Sequence, residues 1–161
     1  MEVLRAYLHP CLTEGRLFPV DSGYERTTFR VIDGLAEWIL KDRHVGVTIE
    51  KPLFDIGPEE IDEEEAEDAR VTCIPDFLLH VAAPVETQPP ITIVETMGYG
   101  DDVYLDRKKR SHALMRAVLQ NAPLLEHLPS QPELTLAFRK RLCAVLLEGI
   151  PLPRKGERNP S

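Results

Sequence analysis

The chain has few cysteines, no long apolar run, no internal repeat and no surplus of positive charge, and most of these shortages exclude something. Its three cysteines, Cys11, Cys73 and Cys143, are scattered and odd in number, which argues against a disulfide framework or a zinc knuckle. A reduced, cytoplasmic setting is the expectation. No apolar run approaches the roughly 20 residues of a membrane-spanning helix, so no membrane partner is expected. Met1-Glu2-Val3-Leu4-Arg5 lacks a basic segment followed by an apolar stretch, so no secretory signal is expected either.

The 19 Lys and Arg against 27 Asp and Glu give a formal net charge of −8, which by itself counts against nucleic-acid binding. The excess is local. Residues 59–68 hold Glu59, Glu60, Asp62, Glu63, Glu64, Glu65, Glu67 and Asp68 and no base, and outside that run acids and bases balance. A loop over 57–69 is therefore expected to carry the whole excess, as a solvated linker. The functional alternatives are a surface for a protein partner and a DNA-mimicking or autoinhibitory flap. With 161 residues, 43% of them hydrophobic, the chain suits one domain over 1–150 with a real core. A disordered Pro-, Arg- and Lys-rich tail is expected at 151–161.

Ser22 suits a helix N-cap, and Phe29, Ile32, Leu35, Ala36 and Ile39 recur at helical spacing, which predicts a helix to about Lys41-Asp42. Residues 1–20, broken by Pro10, Gly15 and Pro19, read as irregular or as a short lead-in element. Val45, Val47 and Ile49 alternate with Gly46, Thr48 and Glu50 in a strand that runs to about Pro52. In a second strand Val71, Cys73, Phe77, Leu79 and Val81 share one face, and Ile74, Asp76, Leu78 and His80 the other. Pro75 marks an edge or a kink there. A third strand puts Ile91, Ile93, Glu95 and Met97 on one face and Thr92, Val94 and Thr96 on the other. Asp101 or Asp102 caps a second helix to about Gln120, and a short strand is expected within 123–128. Ser130-Gln131-Pro132-Glu133 reads as a capping box before a last helix that buries Leu134, Phe138, Leu142 and Val145. The order is that of an α/β domain, with a crossover through the second helix to a parallel strand.

Two of these strands carry one acid each in an apolar, β-branched setting. Asp76 is flanked on its face by Ile74 and Leu78, and Glu95 by Ile93 and Met97. Such acids are costly to bury unless something pairs with them. If the strands are neighbours the carboxylates converge, so one is protonated or a cation bridges them. Hard oxygen ligands suit Mg2+ or Mn2+, with the Thr96 carbonyl completing the site, and a metal held there activates water against a phosphodiester.

The element order and the residues Pro75-Asp76 … Glu95-Thr96-Met97 resemble the PD-(D/E)XK, or restriction-endonuclease-like, nuclease superfamily over about residues 22–120. The resemblance implies an αβββαβ core, a small mixed sheet flanked by helices, with an extra C-terminal helix. It implies that Asp76 and Glu95 bind metal and act in catalysis, and that a glutamate on the first helix assists. Glu25 lies on the stripe of Phe29, Ile32 and Ala36 and is preferred to Glu37 for that place. The motif lysine, two residues after the glutamate, is here Met97, which can neither donate a proton nor carry charge. The replacement is expected from Arg107-Lys108-Lys109-Arg110 in the next helix, with Lys109 preferred over Lys108. The same four residues are the expected DNA-phosphate contacts, and Arg139-Lys140-Arg141 reads as a helical polar edge or as an extension of that patch. The implied function is a Mg2+- or Mn2+-dependent endonuclease on DNA, in restriction, repair or mobile-element processing, acting as a homodimer if both strands are cut.

Each of these residues also has a plainer reading. Asp76 serves as a strand-end turn former, Glu95 as a buried acid bonded to an amide or arginine, and Glu25 as a first-turn helix acid. The basic cluster is then a solvated face, and His80 and His112 are satisfied histidines. The two rival functions are an inactive nuclease fold that binds nucleic acid or protein within a larger complex, and an unrelated α/β domain.

Overall fold

The computed structural model describes residues 7–10, 17–53, 73–82, 91–98 and 102–150. The expected acidic loop over 57–69, Asp101 and the expected tail at 151–161 lie outside the described residues.

Helix α1 spans Gly23–Arg43. Its start follows from two reciprocal bonds. The Glu25 amide donates to Ser22 Oγ at 3.1 Å, and the Asp21 amide donates to Glu25 Oε2 at 2.9 Å. The first satisfies an amide that a helix start leaves without an intrahelical partner, and the second ties the chain before the cap to the first turn. The helix stops where His44 turns left-handed, at φ 55°, and its amide donates to the Leu40 carbonyl. The expected stripe of Phe29, Ile32, Leu35, Ala36 and Ile39 is buried along its length.

Four strands form the main sheet: β3 (Gly46–Glu50), β4 (Phe77–Ala82), β5 (Thr92–Thr96) and β6 (Leu124–His127), side by side in that order. The first two pairings are antiparallel and the β5–β6 pairing is parallel. Helix α2 (Asp102–Val118) makes the long connection that a parallel pair requires. A single 3-10 turn at Pro132–Leu134 leads into α3 (Thr135–Leu146). Helices and sheet thus make the small mixed α/β domain that the sequence implies.

The two sheet faces carry separate apolar cores. Phe29, Ile39, Phe77, Leu79, Val94 and Phe138 belong to the larger, under α1 and α3. Cys73, Leu78, Ile93, Met115 and Leu124 form the smaller, under α2. Ile93 and Val94 fall on opposite faces, as strand alternation demands. Truncating a fully buried ring such as Phe29 or Phe77 to alanine should cost roughly 3–5 kcal/mol.

The structure corrects three expectations. Residues 1–20 include an antiparallel hairpin, β1 (Tyr7–Pro10) with β2 (Leu17–Val20), and Phe18 and Val20 enter the larger core. Cys73 packs with Leu78, not with Phe77 and Leu79, because β4 begins only at Phe77 and the alternation does not extend back through Pro75. The Ser130–Glu133 capping box is not formed: Pro132 starts a 3-10 turn without a side-chain cap, and Leu134 is left 43% exposed.

Candidate metal and phosphodiester site

Strand pairing brings Asp76 and Glu95 to one end of the sheet. Phe77 pairs with Val94, so Asp76 lies just outside the ladder beside Glu95 and Thr96. The two residues then bond reciprocally. The Asp76 amide donates to Glu95 Oε1 at 2.9 Å, and the Thr96 amide donates to Asp76 Oδ2 at 2.7 Å. These bonds replace the ladder that β4 lacks at this point, and they hold both carboxylates in register.

Helix α2 lays a cation over the pair. Lys108 Nζ donates to Glu95 Oε2 at 2.6 Å and stands 3.8 Å from Asp76 Oδ2. One turn later, His112 Nε2 lies 3.4 Å from Glu95 Oε2 without hydrogen-bond alignment. Its Nδ1 is 3.2 Å from Glu126 Oε1, on the strand neighbour of Glu95. Burial pushes the Asp76 carboxyl up, the nearby Glu95 charge pushes it further, and Lys108 and the Thr96 amide only partly oppose this. The result is about 7. Burial also pushes Glu95 up, but His112 and Lys108 more than offset it, so Glu95 stays below its ordinary value. Burial lowers Lys108, yet Asp76 and Glu95 together hold it above the usual lysine value.

Thr96 faces the other way. Its hydroxyl donates to Thr28 Oγ1 at 3.0 Å, and Thr28 Oγ1 lies 2.8 Å from His127 Nδ1. This neutral network ties α1, β5 and β6 together directly behind the acids. Burial holds the His127 imidazole below its ordinary pKa, consistent with a neutral ring. The Thr96 carbonyl, the expected third ligand, lies 3.5 Å from Tyr104 Oη.

Other expected site residues lie elsewhere. Lys109 turns outward to Asp106 at 3.0 Å, so the preference for it over Lys108 is reversed. Helical geometry decides this: Lys108 lies three, four and seven residues before the buried Ser111, His112 and Met115, whereas Lys109 has only His112 at such a spacing. Arg107 and Arg110 are exposed, and Arg107 lies over the Tyr104 ring at 5.7 Å. Glu25 is not in the pair but is bonded to Lys51 Nζ at 2.7 Å, although its charge reaches Asp76. Glu37 pairs with Lys41 and His80 with Glu50, both away from the acids. Met97 is buried packing, 7% exposed. His112, expected as a satisfied histidine, stands instead beside the acids. Its spacing of four from Lys108 puts the two on one side of the helix.

With one ammonium group for a buried and a half-buried carboxylate, the donor set suits a hard divalent cation, which would relieve the repulsion that raises Asp76. Among the described residues no group of three His, Cys, Asp or Glu side chains is arranged to hold a metal. A metal here would therefore rest on Asp76 and Glu95, with main-chain or water oxygens completing its shell.

The family model for the restriction endonuclease-like C-terminal domain matches residues 21–146, from the α1 cap to the last turn of α3. The chain belongs to this restriction endonuclease-like family. An uncharacterized protein in the cib 5′ region of Escherichia coli is 33% identical over 101 residues, covering 62% of this chain and 44% of that protein. The match thus spans less than half of that relative. No solved structure matches. No helix among the described residues of this restriction endonuclease-like domain is long and apolar enough to cross a membrane.

Proposed function

We propose that this domain is a divalent-metal-dependent endonuclease that hydrolyses DNA phosphodiesters. Asp76 and Glu95 hold Mg2+ or Mn2+, with the Thr96 carbonyl as the backbone donor. When bound, the metal supplies a lowered water pKa and charge stabilisation at the phosphate. The chain's own residues do the rest. Lys108 takes the place left by Met97 and neutralises charge that develops on the phosphate oxygens. The reciprocal Asp76–Glu95–Thr96 bonds keep both carboxylates aimed before substrate arrives. Arg107, Lys109 and Arg110, on the outer side of the same helix, meet flanking phosphates. The observation that carries this reading is Lys108 Nζ at 2.6 Å from Glu95 and 3.8 Å from Asp76. It supplies a cation at the acid pair from a different element than the family motif uses.

The test is cleavage of plasmid DNA by the full chain with Mg2+ or Mn2+. Asp76→Ala, Glu95→Ala and Lys108→Ala should each reduce cleavage by at least about a hundredfold. Cleavage that survives all three changes would contradict the proposal.

A second reading keeps the fold and drops the chemistry. It is favoured by the closure of Glu95, whose Oε1 already accepts the Asp76 amide and whose Oε2 already accepts Lys108. An inactive module would bind DNA in a salt-sensitive manner, or bind a protein partner, and would not cut.

A further inference from the structure

A cavity of about 330 Å³ lies at the far end of the β5–β6 pair from the acids. It opens beside β6, which is an edge strand of the described sheet. Arg116, from the end of α2, and Arg141, from α3, both line it. These helices pack on opposite faces of the sheet, so the cavity at the β6 edge is lined from both. Asn121 adds an amide, and Leu124, Leu125 and Val145 give an apolar floor. No carboxylate is among the described residues that line it.

A helix C-terminus ordinarily repels an anion through its free carbonyls. Here part of that set is occupied. The Met115 carbonyl accepts from the Leu119 amide, Arg116 from Asn121, and Leu119 from Ala122. The left-handed residues Gln120 and Asn121, at φ 54° and 62°, make that closure. The cavity is therefore lined by two permanently charged arginines, one amide and an apolar wall, beside a helix end whose carbonyls are partly capped.

We propose that this cavity is a second binding site, distinct from the acid pair, that takes the phosphomonoester of a nucleotide. Two guanidinium groups match the nearly doubly charged phosphomonoester, whereas a carboxylate needs only one. The apolar floor takes the sugar or base, and the volume suits a ligand of nucleotide size. Arg116 lies roughly 12 Å along α2 from Lys108 at 1.5 Å per residue, so the site is outside the reach of the acids. The phosphomonoester comes from a free nucleotide or from the 5′ end of a DNA strand.

Calorimetry of the full chain in chelator tests this, since removing metal silences any metal-bridged binding at Asp76 and Glu95. The probes are inorganic phosphate, a deoxynucleoside 5′-monophosphate, its unphosphorylated deoxynucleoside, and one oligonucleotide with and without a 5′-phosphate. The monophosphate should bind, with the deoxynucleoside at least about tenfold weaker. Arg116→Gln and Arg141→Gln should each weaken binding about tenfold or more, and Asp76→Asn should leave it unchanged. Both arginines are exposed, so these variants keep the fold, which circular dichroism verifies. A preference for the 5′-phosphorylated oligonucleotide over its 5′-hydroxyl form supports the site with a strand end as source. Equal affinity for the two oligonucleotides, with mononucleotide binding retained, supports it with a free nucleotide as source. No binding of phosphate or mononucleotide in the millimolar range overturns it. So does binding that survives the double arginine substitution.

Discussion

Two lysines in this domain each hold two carboxylates, and only one of the clusters is electrostatically unsettled. Lys51 stands 2.7 Å from Glu25 and 3.0 Å from Asp21. Lys108 stands 2.6 Å from Glu95 and 3.8 Å from Asp76. The compositions are the same, but Asp21 is 72% exposed and Asp76 only 17%. Water shields the second acid of the Lys51 cluster, so Lys51 serves two acids of which one is largely solvated. In the Lys108 cluster both acids are withdrawn from water and face one another, and Asp76 rises to about 7. Burial of the second carboxylate, rather than the presence of a lysine, separates the acid pair from a structural tie.

The most severe way to break this comparison is to truncate the buried acid of each cluster. Glu95→Ala leaves Lys108 without its closest partner and the Asp76 amide without an acceptor, and should cost about 3–5 kcal/mol by denaturant unfolding. Glu25→Ala leaves Lys51 with Asp21 and should cost about 1–2 kcal/mol. Equal losses would erase the distinction. Next in size is the pH response. The folded Asp76 value lies above the ordinary unfolded one, so folding takes up a proton between them and Asp76 is a net stabiliser in acid. Its contribution is fully present below about pH 4 and is lost as pH rises through about 7. In the absence of metal, stability should fall across that range, and Asp76→Asn or saturating Mg2+ should flatten the slope. Lys108→Met should remove cleavage while Lys51→Met, though destabilising, should leave it within about threefold, each read at matched folded fraction. Smallest of all, Lys109→Ala should change stability by less than about 0.5 kcal/mol, because its bond to Asp106 is exposed on both sides.

Much of this was legible in the chain, and the rest failed for identifiable reasons. The alternation of Ile93, Val94 and Glu95 gave β5 its faces, and Ser22 with the Phe29 stripe gave α1 its start and buried side. Pro75 marks a break in the chain, and the alternation does not cross it, so Cys73 falls on the face opposite to the one its parity implies. The hairpin of Tyr7–Pro10 with Leu17–Val20 was unreadable because strands that short gain their stability from the core they enter at Phe18 and Val20. At the site, Asp76 and Glu95 were visible as acids in apolar runs. Lys108 and Lys109 were harder to separate, since adjacent helical positions differ by about 100° and the packing of α2 on the sheet decides which one turns inward. Glu25 lies on the Phe29 stripe, but its partner Lys51 lies 26 residues away, and local spacing carries no trace of it.

The central claim is that Asp76 and Glu95 form one cation site whose unrelieved repulsion a divalent metal removes. Calorimetric titration of Mg2+ or Mn2+ into the metal-free full chain tests it most directly. The account predicts a single binding event at millimolar affinity or tighter, lost in Asp76→Asn and in Glu95→Gln and retained in Glu25→Gln. No binding in that range, or binding unchanged by Asp76→Asn and Glu95→Gln, would contradict it.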